Sequence, residues 1–144
     1  MYTVNPYLNF QGNTEEAFNL YRKVFGGEFT SLMRFKETGE AEKMSAEEGE
    51  KLMHISLPIG KNTILMGTDA LESFGQKVIM GNNNYLCINT PTREEADRLF
   101  NELSAGGNVE MPMTDMFWGD YFGSFFDKFG LGWMISYNPQ HIPQ

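Results

Sequence analysis

Two stretches of this chain repeat each other. "EEAFNLY" occupies 15–21 and "EEADRLF" occupies 94–100. Each follows a short strand-like run, "PYLNF" (6–10) and "YLCIN" (85–89). Each is followed by a double glycine, Gly26-Gly27 and Gly106-Gly107. The shared order of strand, turn, helix and double glycine is the mark of an internal duplication. In a chain of 144 residues it points to one domain, 1–144, made of two small modules sharing a core, at approximately 1–75 and 80–138.

Apolar spacing predicts helices over 14–25 and 93–104. In the first, Ala17, Phe18, Tyr21, Val24 and Phe25 fall on one face. Asn13 is expected to cap it, with Glu16 reaching back to complete a capping box. In the second, Ala96, Leu99, Phe100 and Leu103 repeat the face, and Thr92 with Glu95 repeats the box. The double glycines permit the left-handed turn that stops each helix. Glu15, Glu16, Glu94 and Glu95 sit in first turns, where a carboxylate favours the helix dipole, so they are given no catalytic role.

Strand-like runs follow each helix. The first half offers "EFTSLMRF" (28–35), "LMHISLPIG" (52–60) and "TILMGTD" (63–69), the last two joined by a compact turn at "PIGKN". The second half offers "NVEMPMTDMFW" (108–118), "GDYFGSFFD" (119–127) and "GWMISY" (132–137). Each half therefore reads βαβββ, an α+β class. The charged segment 36–51 reads as a surface excursion with one helical turn at "SAEEGEK", and the tail "NPQHIPQ" as frayed, so His141 is given no role.

The formal net charge of −8 repels a phosphate backbone, which argues against nucleic acid. The lone Cys87 has no internal partner and suits a reducing cytoplasm. "MYTVNPYLNF" lacks the pattern of a secretory signal, and no apolar run reaches the roughly 18–20 residues that span a bilayer. Twelve Phe and ten Met fill a core and are enough to line an apolar pocket as well.

Some familiar motifs are missing. "FGGEF" and "GGNVEM" follow helices rather than connect a strand into one, so they are not phosphate cradles. The chain has no C-x-x-C and no H-E-x-x-H. Alternation places His54 and Ser56 on one strand face, with Met53, Ile55 and Leu57 on the other. His54 is either a hydrogen-bonded sheet histidine or a catalytic group. "MHIS" is not expected to supply an ordered nucleophile and base. Cys87 is expected to be buried and inert. Trp118, in "MFWGDYFG", forms either a cavity wall or a cover over the core edge. Asp115, Asp120 and Asp127 read as turn residues, Asp127 starting the "DKFG" turn before the last strand.

The chain resembles the PhnB-like branch of the vicinal oxygen chelate superfamily, which includes glyoxalase I, ring-cleaving dioxygenases and antibiotic-resistance proteins. The resemblance rests on "NPYLNFQGNTEEAFNLYRKVFGGE", on "LMHISLPIG" followed by "LMGTD", and on "DMFWGDYFGSFFDKFGLGWMIS". It implies two βαβββ modules forming a cupped mixed sheet around a cavity, and a homodimer. Members of the branch have carried a methyltransferase label, but no glycine-rich nucleotide-binding loop is present here to support one.

The superfamily draws metal ligands from the first and fourth strands of each module. Here those positions fall near Asn5, with Asn83 or Asn84 as its counterpart, and at Leu65 or Met66 and Met134. None is His, Asp, Glu or Cys, so no metal and no other cofactor is expected. The expectation is a cytoplasmic, metal-independent protein that binds a small, partly apolar molecule through Asn5, Tyr7, His54, Met66, Asn84, Trp118 and Met134. The alternative is a glyoxalase- or dioxygenase-like enzyme using His54, or a shifted metal site.

Overall fold

The computed structural model describes residues 1–39 and 41–143, with Ala41 by its backbone only. Glu40 in the charged excursion and Gln144 at the end of the tail lie outside the described residues. The chain divides into two compact units, Met1–Ile79 and Met80–Gln144.

The first unit runs β1 (Tyr7–Phe10), α1 (Thr14–Phe25), β2 (Ser31–Arg34), α2 (Ala46–Gly49), β3 (Leu52–Ile59) and β4 (Thr63–Asp69). Its four strands form one sheet in the order β1-β4-β3-β2. β1 runs parallel to β4, and the other neighbours are antiparallel. The second unit runs β5 (Leu86–Asn89), α3 (Arg93–Ser104), β6 (Asn108–Asp115), β7 (Tyr121–Phe126) and β8 (Gly132–Tyr137). Its sheet has the order β5-β8-β7-β6, with β5 parallel to β8. Both units are thus βαβββ, and both helices span the predicted residues.

The ladders carry the duplication residue by residue. In the first sheet Tyr7, Met66, Ser56 and Ser31 stand in one row across the four strands. The second sheet has Cys87, Met134, Ser124 and Met111 in the matching row. Counting back along β1 and β5, the counterpart of Asn5 is Tyr85, which corrects the expected Asn83 or Asn84.

One face of each sheet is packed by its helix. Phe18 and Tyr21 of α1 are fully buried, and a Cβ on Gly67 would lie 2.6 Å from the Phe18 ring. Gly67 is therefore the floor on which Phe18 sits. In the second unit Phe100 of α3 packs edge-on against Phe125, with centroids 5.0 Å apart. Trp133 and Ile135 fill the same layer with no exposed surface. Each such side chain contributes about 1.5–3 kcal/mol of burial free energy.

Several local expectations are corrected. Asn13 makes no side-chain cap to α1. The carboxylate of Asp69, at the end of β4, takes that role by accepting from Thr14 N at 3.0 Å. It offers two acceptor oxygens from a buried strand end, which a flanking loop amide does not. At α3 the expected cap forms, Thr92 Oγ1 accepting from Glu95 N at 3.1 Å. β2 is shorter than 28–35 and begins at Ser31. The strand expected over 108–118 ends at Asp115, and β7 begins at Tyr121 rather than 119, because Met116–Asp120 form a turn closed by Gly119, whose φ is +106°. The turn at "SAEEGEK" is α2, capped by Ser45 accepting from Glu48 N.

Candidate functional site

On the face of the first sheet turned away from α1, alternation collects Tyr7 of β1, His54 and Ser56 of β3, and Met66 of β4. Three of them form a hydrogen-bonded chain. Tyr7 Oη lies 2.9 Å from His54 Nδ1, and His54 Nε2 lies 2.7 Å from Ser56 Oγ. The Tyr7 and His54 rings are tilted together, 5.7 Å between centroids. Tyr7 is half exposed, His54 is intermediate and Ser56 is buried. Partial burial raises the Tyr7 pKa, so its phenol stays protonated across the physiological range.

This chain corrects one sequence expectation. Neighbouring positions on a strand do point apart, but His54 and Ser56 are two apart and share a face, so their side chains meet. The alternation of "HIS" was the available signal. The partnership with Tyr7 depends on β1 pairing with β4, and no local pattern announces it.

The other expected residues separate. Asn5 Oδ1 accepts from Ile64 N at 2.9 Å, which fastens the chain entering β1 to β4. Met134 is half buried on the face of the second sheet turned away from α3, as the ladder partner of Cys87. Asn84 is exposed in the segment before β5 and donates to Asn83 Oδ1 at 3.3 Å. Trp118 lies in the β6–β7 turn, 55% exposed, stacked edge-on against Phe117. Its Nε1 donates to Asp120 Oδ2 at 2.7 Å. Within its unit it is neither a cavity wall nor a cover over the core.

Cys87 is exposed, a correction to the buried thiol expected from its mid-strand place. A strand with its helix on one face only leaves alternate side chains on the other, and Cys87 is one of those. Neighbouring atoms still desolvate the sulfur and raise its pKa, and the charge of Asp120 raises it further. Asp120 itself is held below the usual carboxylate range by hydrogen bonds from Asn138 and Trp118. Cys87 is therefore accessible but a poor nucleophile at neutral pH. Iodoacetamide should modify it slowly at pH 7, and the rate should still be climbing at pH values where an ordinary free thiol has levelled off. A rate plateau at or below the ordinary thiol range would contradict this.

The fit to a metal can be tested on chemistry. The ladders set a first-strand and a fourth-strand residue side by side on each of these faces, Tyr7 with Met66 and Cys87 with Met134. Phenol and thioether are poor ligands for Mg, Mn, Fe, Ni or Zn, and the Cys87 thiol, the one good donor of the four, stands beside a thioether rather than a second ligand. Among the described residues no three of His, Cys, Asp and Glu converge as a metal-binding group. The residues present do not fit the superfamily's metal.

A cleft of about 490 Å³ opens on the first unit near the start of α1, lined by Gly12, Glu15, Arg34, Glu50 and Lys51 among others. Its two basic side chains are engaged within the fold. Arg34 forks onto both Glu15 oxygens, at 3.0 and 2.8 Å, and Lys51 Nζ donates to Gly12 O at 2.8 Å. The fork to Arg34 is also what lowers the Glu15 pKa. The cleft reads as a structural clamp between α1 and the charged excursion.

Comparison with known proteins agrees with this architecture. A family model described as Glyoxalase/Bleomycin resistance protein/Dioxygenase superfamily matches residues 3–135. Protein YjdN of Escherichia coli (strain K12) is 32% identical over 149 residues, covering 98% of this chain and 99% of that protein. The crystal structure of protein PA1353 from Pseudomonas aeruginosa superposes with a TM-score of 0.84 at 33% identity, covering 96% of this chain and 98% of that one. The PhnB protein from Bacillus cereus shares the fold, with a TM-score of 0.77 at 24% identity over 94% of this chain and 99% of its own.

Proposed function

The chain belongs to the Glyoxalase/Bleomycin resistance protein/Dioxygenase superfamily, and from that membership we propose that it is a metal-independent small-molecule-binding protein of the PhnB-like type. The observation that carries the reading is the Tyr7–His54–Ser56 chain, set beside methionines on a sheet face where, among the described residues, no metal-binding cluster converges. A few convergent polar groups in an apolar setting are what an orienting site needs. Met66 supplies apolar contact beside Tyr7, and Met134 does the same on the matching face of the second sheet. The proposal includes a homodimer in the cytoplasm. Large apolar side chains such as Val4, Ile79 and Phe117 are each at least 85% exposed, and a second copy that covered them would bury apolar surface.

A second reading is favoured by the same hydrogen bonds. A histidine bonded to both a serine and a tyrosine has the geometry of a general base. It would make the protein an acid–base enzyme of glyoxalase type.

Screening a metabolite library by thermal shift separates the two. A ligand that binds only the folded state at about 100 times its Kd adds roughly 2.7 kcal/mol of stability. The binding reading expects a hit that is recovered chemically unchanged. It also expects His54→Ala to weaken that hit while still folding cooperatively. A hit that is converted to product by wild type but not by His54→Ala would replace binding with catalysis.

A further inference from the structure

The direction of the hydrogen bonds in the Tyr7–His54–Ser56 chain follows from accounting for one proton. Ser56 is 6% exposed, and His54 Nε2 is the hydrogen-bond partner of its hydroxyl among the described residues. A buried hydroxyl hydrogen finds an acceptor, so Ser56 donates and Nε2 keeps its lone pair. The ring proton then sits on Nδ1. From there it is donated to the Tyr7 oxygen at 2.9 Å. With its oxygen accepting from His54, Tyr7 has its own hydrogen left to point away from the ring.

We propose that Ser56 and His54 together fix Tyr7 as a hydrogen-bond donor on the far face of the first sheet, and that the ligand is a largely apolar compound whose uncharged acceptor, such as a ketone carbonyl, accepts from it. This rests on the small-molecule reading above and names its ligand class. Two observations beyond the hydrogen-bond direction select that class. Met66 is the ladder partner of Tyr7 and Met33 that of His54, so each of the two rings has a thioether residue beside it in the sheet. The chain's net charge of −8 disfavours an anionic acceptor such as a free carboxylate, and leaves uncharged acceptors, of which a ketone carbonyl is the simplest to test. A raised Tyr7 pKa keeps the donor in place. Ser56 and His54 are positioning residues here, and Tyr7 is the group that touches the ligand.

The first test reads the His54 tautomer by long-range proton–nitrogen correlation in the full-length protein. His141 is the only other histidine, and His141→Gln identifies its signals. The Nδ1–H tautomer is expected in wild type, with the preference lost in Ser56→Ala. An Nε2–H ring in wild type, or an unchanged preference in Ser56→Ala, overturns the proposal. The second test titrates acetophenone, whose one polar atom is an acceptor. It should shift Tyr7 and His54 resonances in wild type, and Tyr7→Phe should bind it about three- to tenfold more weakly. Equal binding by Tyr7→Phe overturns the ligand class. If acetophenone moves no resonance on that face while the ring is Nδ1–H, the ligand half is overturned and the proton's direction stands, whereas the small-molecule reading itself fails only if the thermal-shift screen gives no ligand.

Discussion

Gly107→Ala should cost about 3 kcal/mol or more and lower the melting temperature by roughly 10 °C. A Cβ at this position would lie 2.1 Å from the carbonyl oxygen of Phe126 and 2.8 Å from the carbonyl carbon of Asp127. Both are backbone atoms at the end of β7, where Asn108 pairs with Phe126. No rotamer change relieves such a clash, so the start of β6 must move off β7. The repeat partner Gly27 is the control. Nothing lies within 4 Å of a Cβ there, and the cost of alanine is the left-handed φ of +83°, about 1–2 kcal/mol. Thermal or urea unfolding of the two variants checks the order. Equal losses would mean that the approach of β7 to Gly107 is not as close as described.

The second large effect is expected at Asp69. Its side chain is buried and accepts three hydrogen bonds, from Thr14 N, from Thr14 Oγ1 at 2.7 Å and from Leu52 N at 2.8 Å. One carboxylate thus ties the start of α1 to the start of β3 across the end of β4. Asp69→Ala strands three donors, two of them backbone amides, and should cost about 3–5 kcal/mol. Asp69→Asn keeps one acceptor but turns an amide NH₂ toward a donor, so it should recover only part of the loss. Full stability in Asp69→Asn, measured by urea unfolding, would show that one oxygen carries the whole effect. Asp127 has the matching task in the second unit, accepting from Phe129 N, Leu131 N and Trp133 Nε1.

These two residues show what the sequence made legible. Periodicity and glycine placement located both long helices and the strands 63–69 and 132–137 to the residue, because each is bounded by strong local signals. The double glycines were read as equivalent stops. Only the fold shows that Gly107 answers to a neighbouring strand while Gly27 answers to its own φ. Asn13 looked like a cap because Asn is a good local cap, whereas the actual cap, Asp69, is 55 residues away in sequence. The site divides in the same way. His54 and Ser56 share a face by alternation, which can be read along the strand. Tyr7 joins them through the parallel pairing of β1 with β4, a contact that no local spacing encodes. Cys87 was misjudged because mid-strand position does not say which face the helix covers.

The claim at the centre of this account is that a small molecule binds without a metal. The measurement that meets it most directly is the thermal shift given by the strongest library ligand, taken on chelator-treated protein and again after loading with Ni, Mn, Fe or Zn. The account predicts the same shift in both samples, and a smaller one in His54→Ala with or without metal. A shift that appears only after loading, together with a stoichiometric metal that wild type retains and His54→Ala releases, would contradict it.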